Sequence, residues 1–119
     1  MASLNTFGAI LTYAIELETR LRDYYQKAGN SEHASASDDR RTKLERVRRE
    51  NVLEITLEPI EGLDEANYGL NLNDTSPTGQ QTIEDTAARF YNDVAPKINV
   101  REARRALERC GKQHAELVG

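Results

Sequence analysis

The stretch "RALERCGKQHAELVG", residues 105–119, sets a lone histidine, His114, one helical turn after Cys110 and three residues after Gly111. A carboxylate three residues before a histidine shares its helix face and can hold a metal with it. Here Gly111 occupies the position that carboxylate would take. Cys110 with His114 offers a second chemistry, soft-metal binding or an activated thiolate, although a single thiol at helical spacing among Leu and Val is more often packing, which is the reading taken here. A third concentration of reactive types is the basic run Arg40, Arg41, Lys43, Arg46, Arg48 and Arg49. Glu45 and Glu50 stand four residues after Arg41 and Arg46, which reads as a solvated, self-paired face. The chain has no phosphate-binding glycine loop, and its two histidines give no specific nucleophile triad.

These side chains need helices to position them. Phe7, Ile10, Ala14, Leu17, Leu21, Tyr24, Tyr25 and Ala28 recur at three- and four-residue steps, which predicts an amphipathic helix over about 4–28. "AGNSEHASASDD" supplies stop and turn chemistry, so a second helix is expected from about Asp38 to Glu58, closed by Pro59. Residues 59–81 carry Gly, Pro, Asn and Asp without a sustained period and read as a long crossover. Thr82 with Asp85 resembles a capping box opening a helix over 82–95 that Pro96 closes. Asn99 with Glu102 opens a last helix over 100–117, with Val100, Ala103, Leu107, Cys110, His114 and Leu117 inward. Within "VLEITLE", residues 52–58, apolar and polar types alternate, so a half-buried strand competes with the helical reading there. As helix, this stretch leaves Leu53, Leu57 and Ile60 away from the Leu44, Val47, Asn51, Ile55 stripe, a second apolar face that asks for a partner.

At 119 residues the chain is read as one domain, 1–119, of all-α class. Sixteen basic against twenty acidic residues give a net charge of −4, which offers no general steering toward nucleic acid or an anionic membrane. The apolar run near the start is broken by Thr12, Tyr13 and Glu16, well short of a membrane span, and residues 1–18 do not read as a basic n-region. One cysteine excludes an internal disulfide and suits a reducing compartment. The expectation is a cytoplasmic protein with no nucleic-acid or membrane partner.

The two halves echo each other. Glu18 precedes Tyr24 and Tyr25 by the spacing with which Glu84 precedes Phe90 and Tyr91, sixty-six positions later. "RTKLER" at 41–46 matches "RRALER" at 104–109 at an offset of sixty-three, which predicts a first hairpin loop longer by three. This repeated pattern resembles the rubrerythrin-like branch of the ferritin-like superfamily across most of the chain outside 59–81. The resemblance implies a four-helix bundle of two hairpins joined by a long crossover. It also implies two irons held by carboxylates on helices one and three and a Glu-x-x-His on helices two and four.

Carried over residue by residue, Glu18, Glu84 and His114 match ligand positions, whereas Gly111, Arg48 and Asn51 depart from them. Half the ligand set is missing. The resemblance therefore implies a decayed intrasubunit di-iron site with no cofactor within one subunit, in which the Arg48 guanidinium bridges the buried carboxylates or snorkels to solvent. Glu18 paired with Arg22 on a solvated face is the plain alternative. The expected role is structural or protein-interaction, as a homodimer or with another protein through Leu53, Leu57 and Ile60. The alternative is iron bound at a subunit interface, as a di-iron oxidoreductase, with Glu50, Glu54 or Glu116 recruited as further donors.

Overall fold

A computed structural model describes residue 4 and residues 6–51, 63 and 65–118. Four α-helices, α1 Phe7–Lys27, α2 Ser31–Asn51, α3 Pro77–Val94 and α4 Arg101–Val118, form two hairpins, with no strand among the described residues. The strand-or-helix question at 52–58 lies outside them, as do Leu53, Leu57 and Ile60. Short 3-10 turns at Glu65–Tyr68 and Ala95–Lys97 complete the secondary structure.

Helix α1 opens at Thr6, whose hydroxyl accepts from the Ala9 N–H at 3.0 Å. Its buried stripe, Phe7, Ile10, Leu11, Ala14, Leu17, Glu18, Leu21, Tyr24 and Tyr25, follows the three-and-four spacing of the sequence but admits one carboxylate. The helix ends on a Schellman motif: Gly29 takes φ +78°, its N–H donates to the Gln26 carbonyl, and the Asn30 N–H donates to the Tyr25 carbonyl. Asn30 then caps the next helix, its side-chain oxygen accepting from the His33 N–H at 3.1 Å. Three residues complete the reversal, so α2 begins at Ser31 and the expected start near Asp38 is corrected by seven residues. The polar run "SEHASASDD" is helix, its exposed face carrying the polarity while Ala34, Ser37, Arg40, Leu44 and Val47 turn inward.

Helix α3 also starts earlier than the Thr82 capping box predicts. Ser76 caps it by accepting from the Gly79 N–H at 3.1 Å, and Pro77 occupies the first turn, where a missing N–H costs nothing. Tyr68 pins the crossover to this helix, with its ring edge-on to Phe90 and its hydroxyl donating to Asp93 at 2.6 Å. Tyr24 ties the same connection to α1 through a 2.6 Å bond to the Asp74 carbonyl. The connections within the hairpins are three residues in the first and six in the second, the reverse of the expected longer first loop.

Candidate functional site: a buried ionic cluster

Each helix contributes one carboxylate, guanidinium or imidazole to the interior: Glu18 from α1, Arg40 from α2, Glu84 from α3 and His114 from α4. All four are buried. The sequence spacing that set Glu18, Glu84 and His114 on inward faces is thus met by side chains that touch one another. His114 donates from Nε2 to Glu18 at 2.8 Å and from Nδ1 to Glu84. An ionised carboxylate only accepts, so an imidazole bonded to one on each nitrogen carries both protons. Arg40 donates from Nε to the other Glu18 oxygen at 2.9 Å, and spreads its remaining nitrogens to Ser37 at 3.0 Å and Gln113 at 3.0 Å.

Two tyrosines close the cluster in a crosswise pattern. Tyr25 of α1 donates to Glu84 of α3 at 2.5 Å, and Tyr91 of α3 donates to Glu18 of α1 at 2.5 Å. Each tyrosine follows the glutamate of its own helix by seven residues, two turns on the same face. Both bonds can form only if α1 and α3 run antiparallel, because in a parallel pair levelling one tyrosine with the opposite glutamate carries the other far past. The Tyr91 ring lies nearly parallel to the His114 imidazole, 8° apart with centroids at 5.6 Å.

Charge balance follows from the count of groups. Arg40 and protonated His114 offset Glu18 and Glu84. Burial by itself depresses the His114 pKa, but the Glu18 charge and the hydrogen bonds donated to both glutamates outweigh it and raise the pKa to about 9. Burial likewise works against ionised Glu18, yet His114, and after it Arg40 and Tyr91, hold its carboxyl below the ordinary range. Burial first, then the Glu18 charge, pushes Tyr91 well above the ordinary phenol range, so it stays a donor. Cys110 is pushed up to about 12, mainly by burial and next by Glu18, which keeps it a packed thiol rather than a nucleophile.

The positions that depart from the di-iron pattern are corrected one by one. Arg48 does not lie between the carboxylates: it is exposed and donates to Thr12 at 3.1 Å. Arg40, two turns earlier, bonds Glu18, because the early start and tight first turn of α2 set a different register from the one the "LER" echo implied. Asn51 is the last residue of α2, about three turns from Arg40 along the helix axis. Gly111 is buried where α4 passes close to α3, and a Cβ there would meet the Tyr91 Cβ at 2.8 Å. It is a glycine of close approach, and a carboxylate at that position would not fit. Glu18 finds its cation in Arg40 on the neighbouring helix of its own hairpin, while Arg22 pairs with Asp23 and Asp38. Of the further donors expected at an interface, Glu50 and Glu116 are exposed, and Glu54 lies outside the described residues.

The donor set does not suit two irons. Both imidazole nitrogens and all four oxygens of Glu18 and Glu84 are engaged by protein groups. No described buried side-chain nitrogen or oxygen lacks a hydrogen-bond partner, and no group of three or more His, Cys, Asp or Glu among the described residues is arranged to hold a metal. A hard iron pair needs several uncommitted oxygen donors, and Arg40 brings a fixed positive charge instead.

Arg40, Tyr25 and Tyr91 are the members that sequence reasoning missed. Both tyrosines stood in the Glu-to-aromatic echo, whose seven-residue step already places Glu and Tyr on one face. Arg40 stands in the inward series Ala34, Ser37, Arg40, Leu44, Val47 as its only cation, a signal visible once α2 is allowed to begin at Ser31. No helix among the described residues is long and apolar enough to cross a membrane. Comparison of the chain with family models, with curated proteins and with solved structures returns no match.

Proposed function

We propose that this chain is a small helical protein with a structural or protein-interaction role, in which an ionic cluster stands where proteins of the ferritin-like kind hold a di-iron site. One observation carries the reading: the interior cluster is charge-balanced and complete in its hydrogen bonds, leaving neither an uncommitted metal donor nor a nucleophile among its members. Buried ionic networks rarely add net stability, and their best-attested use is to select one packing register over others. A cluster drawing one group from each of four helices suits that use. Function then falls to the outer surface. The sequence stripe Leu53, Leu57 and Ile60 is the segment assigned to contact with a second copy or another protein.

The test is metal analysis of protein purified without chelator, followed by aerobic ferrous oxidation by the wild type and by Glu84→Ala. Less than about a tenth of an equivalent of iron, and no rate difference between the two proteins, is expected from a donor set already satisfied by protons and arginine. Iron approaching two equivalents per chain, with oxidation lost in the variant, would overturn the reading. Sedimentation of the wild type and Leu57→Glu addresses the partner surface: a dimer that the substitution dissociates is expected, and two identical monomers would remove that assignment.

A further inference from the structure

Between α2 and α4, with Arg40 among its lining residues, lies a groove of about 300 Å³. That is the lower end of the size range of small-molecule sites. Lys43 and Arg46 line it from α2, and Arg101, Arg105 and Arg109 line it from α4. The three arginines are spaced by four, one face of two helical turns, and Arg101 is the first residue of α4, where the helix dipole adds positive potential. Val47, Ala106 and Cys110 form an apolar floor.

Elsewhere on these helices Arg40 pairs with Glu18, Arg41 with Asp38 and Glu45, and Arg104 with Glu108, whereas Arg48, Arg49 and Lys112 form no ion pair among the described residues. Lys43, Arg46, Arg101, Arg105 and Arg109 make no ion pair among the described residues, and Glu102 is the only acid among the groove's described lining residues. Basic residues at i, i+4 repel one another, so the arrangement opposes its own stability unless an anion offsets it. In a chain of net charge −4 this concentration is local rather than a consequence of composition. Of the α2 basic run, Lys43 and Arg46 are exposed as expected, and the expected self-pairing holds for Arg41 with Glu45 but not for Arg46 with Glu50.

We propose that this groove binds a small polyphosphate anion, its phosphate oxygens held by the α4 arginines with Lys43 and Arg46. Guanidinium forks match phosphate oxygens two at a time, which favours phosphate over a single carboxylate. A ligand of several negative charges relieves the repulsion that a monoanion would leave. Five cations gathered around one groove of about 300 Å³ on an acidic molecule suit a compact ligand rather than an extended nucleic-acid strand. An organic body, where the ligand has one, rests on Val47, Ala106 and Cys110. Arg40 reaches this groove as well as Glu18, so occupancy is felt in the cluster through one side chain. The proposal rests on the outer groove and stands whether or not the interior takes metal.

Calorimetric titration of the 119-residue chain at low salt with inorganic tripolyphosphate and with ATP tests it. Saturable binding of one anion per chain is expected, weakened by at least about tenfold in Arg105→Gln, as loss of a charge-assisted bond implies. Arg104→Gln, altering an arginine outside the groove, should leave the affinity unchanged. ATP binding tighter than tripolyphosphate assigns the source to an organic phosphate, and equal affinity assigns it to the free polyphosphate chain; either supports the site. Both altered residues are exposed, and circular dichroism confirms the fold of each variant. Lys43→Gln provides a second groove change on the other helix and should weaken binding in the same direction. No saturable heat with either anion, equal losses in the Arg104 and Arg105 variants, or tighter binding of a short single-stranded oligonucleotide or an acidic peptide would overturn the proposal.

Discussion

Arg40 neutralises a carboxylate that has no access to water, and its loss should be felt accordingly. Replacing it with leucine leaves Glu18 buried with only His114 as cation, and removing one partner of a buried pair costs about 3–5 kcal/mol. Urea unfolding followed by circular dichroism should show that loss for Arg40→Leu, whereas Arg48→Leu, on the exposed face, should behave as an ordinary surface change. A comparable loss in the Arg48 variant would place the wrong arginine in the cluster. Gly111 is the other residue whose identity is dictated by space. A Cβ at 2.8 Å from that of Tyr91 forces α3 and α4 apart, so Gly111→Ala should destabilise by about 1–3 kcal/mol despite the better helix propensity of alanine. An unchanged or raised melting temperature would mean the helices have room to give.

At the scale of elements, the three-residue reversal between α1 and α2 sets the register of everything downstream. Gly29 supplies the left-handed conformation and Asn30 the cap, so Asn30→Ala should cost about 1 kcal/mol in chemical denaturation. A neutral effect would mean that the Schellman bonds alone determine where α2 begins. This reversal is also where the sequence was hardest to read. Helices α1 and α4 were legible because their apolar residues keep a helical period end to end, and the all-α class followed from that. The start of α2 was hidden because its first turns are mostly Ser, Glu, Asp and His, types equally at home in a loop, so the decision fell to Gly29 and Asn30. The start of α3 was hidden because Pro77 reads as a breaker until Ser76 is recognised as its cap. Glu18, Glu84 and His114 could be placed on inward faces by spacing within their own helices. The partner from α2 could not, since choosing Arg40 over Arg48 requires the start of that helix to be known.

For the whole molecule, the cluster makes stability a function of pH with two limbs. The Glu18 pKa is lower in the folded chain, so its contribution is present above its ordinary value near 4.5 and is lost as pH falls through the folded value. The His114 pKa is raised, so its contribution is complete below the ordinary value of 6.5 and is lost as pH rises through about 9. Urea midpoints should therefore plateau between those two ordinary values and fall on either side, the alkaline limb amounting to a few kcal/mol in order of magnitude. His114→Gln should be less stable on the plateau and should flatten the alkaline limb; an unaltered limb would show that another group governs it. Within each hairpin the interior charges already cancel, Glu18 with Arg40 in one and Glu84 with His114 in the other. The tyrosine bonds and the His114 bond to Glu18 run between the hairpins, and nothing in them distinguishes a hairpin of the same chain from that of a second copy. The interior is thus indifferent to chain identity, and what keeps the fold intramolecular is the connection between α2 and α3. Shortening that connection should yield domain-swapped dimers that keep the wild-type interior, with each half of the cluster supplied by a different molecule.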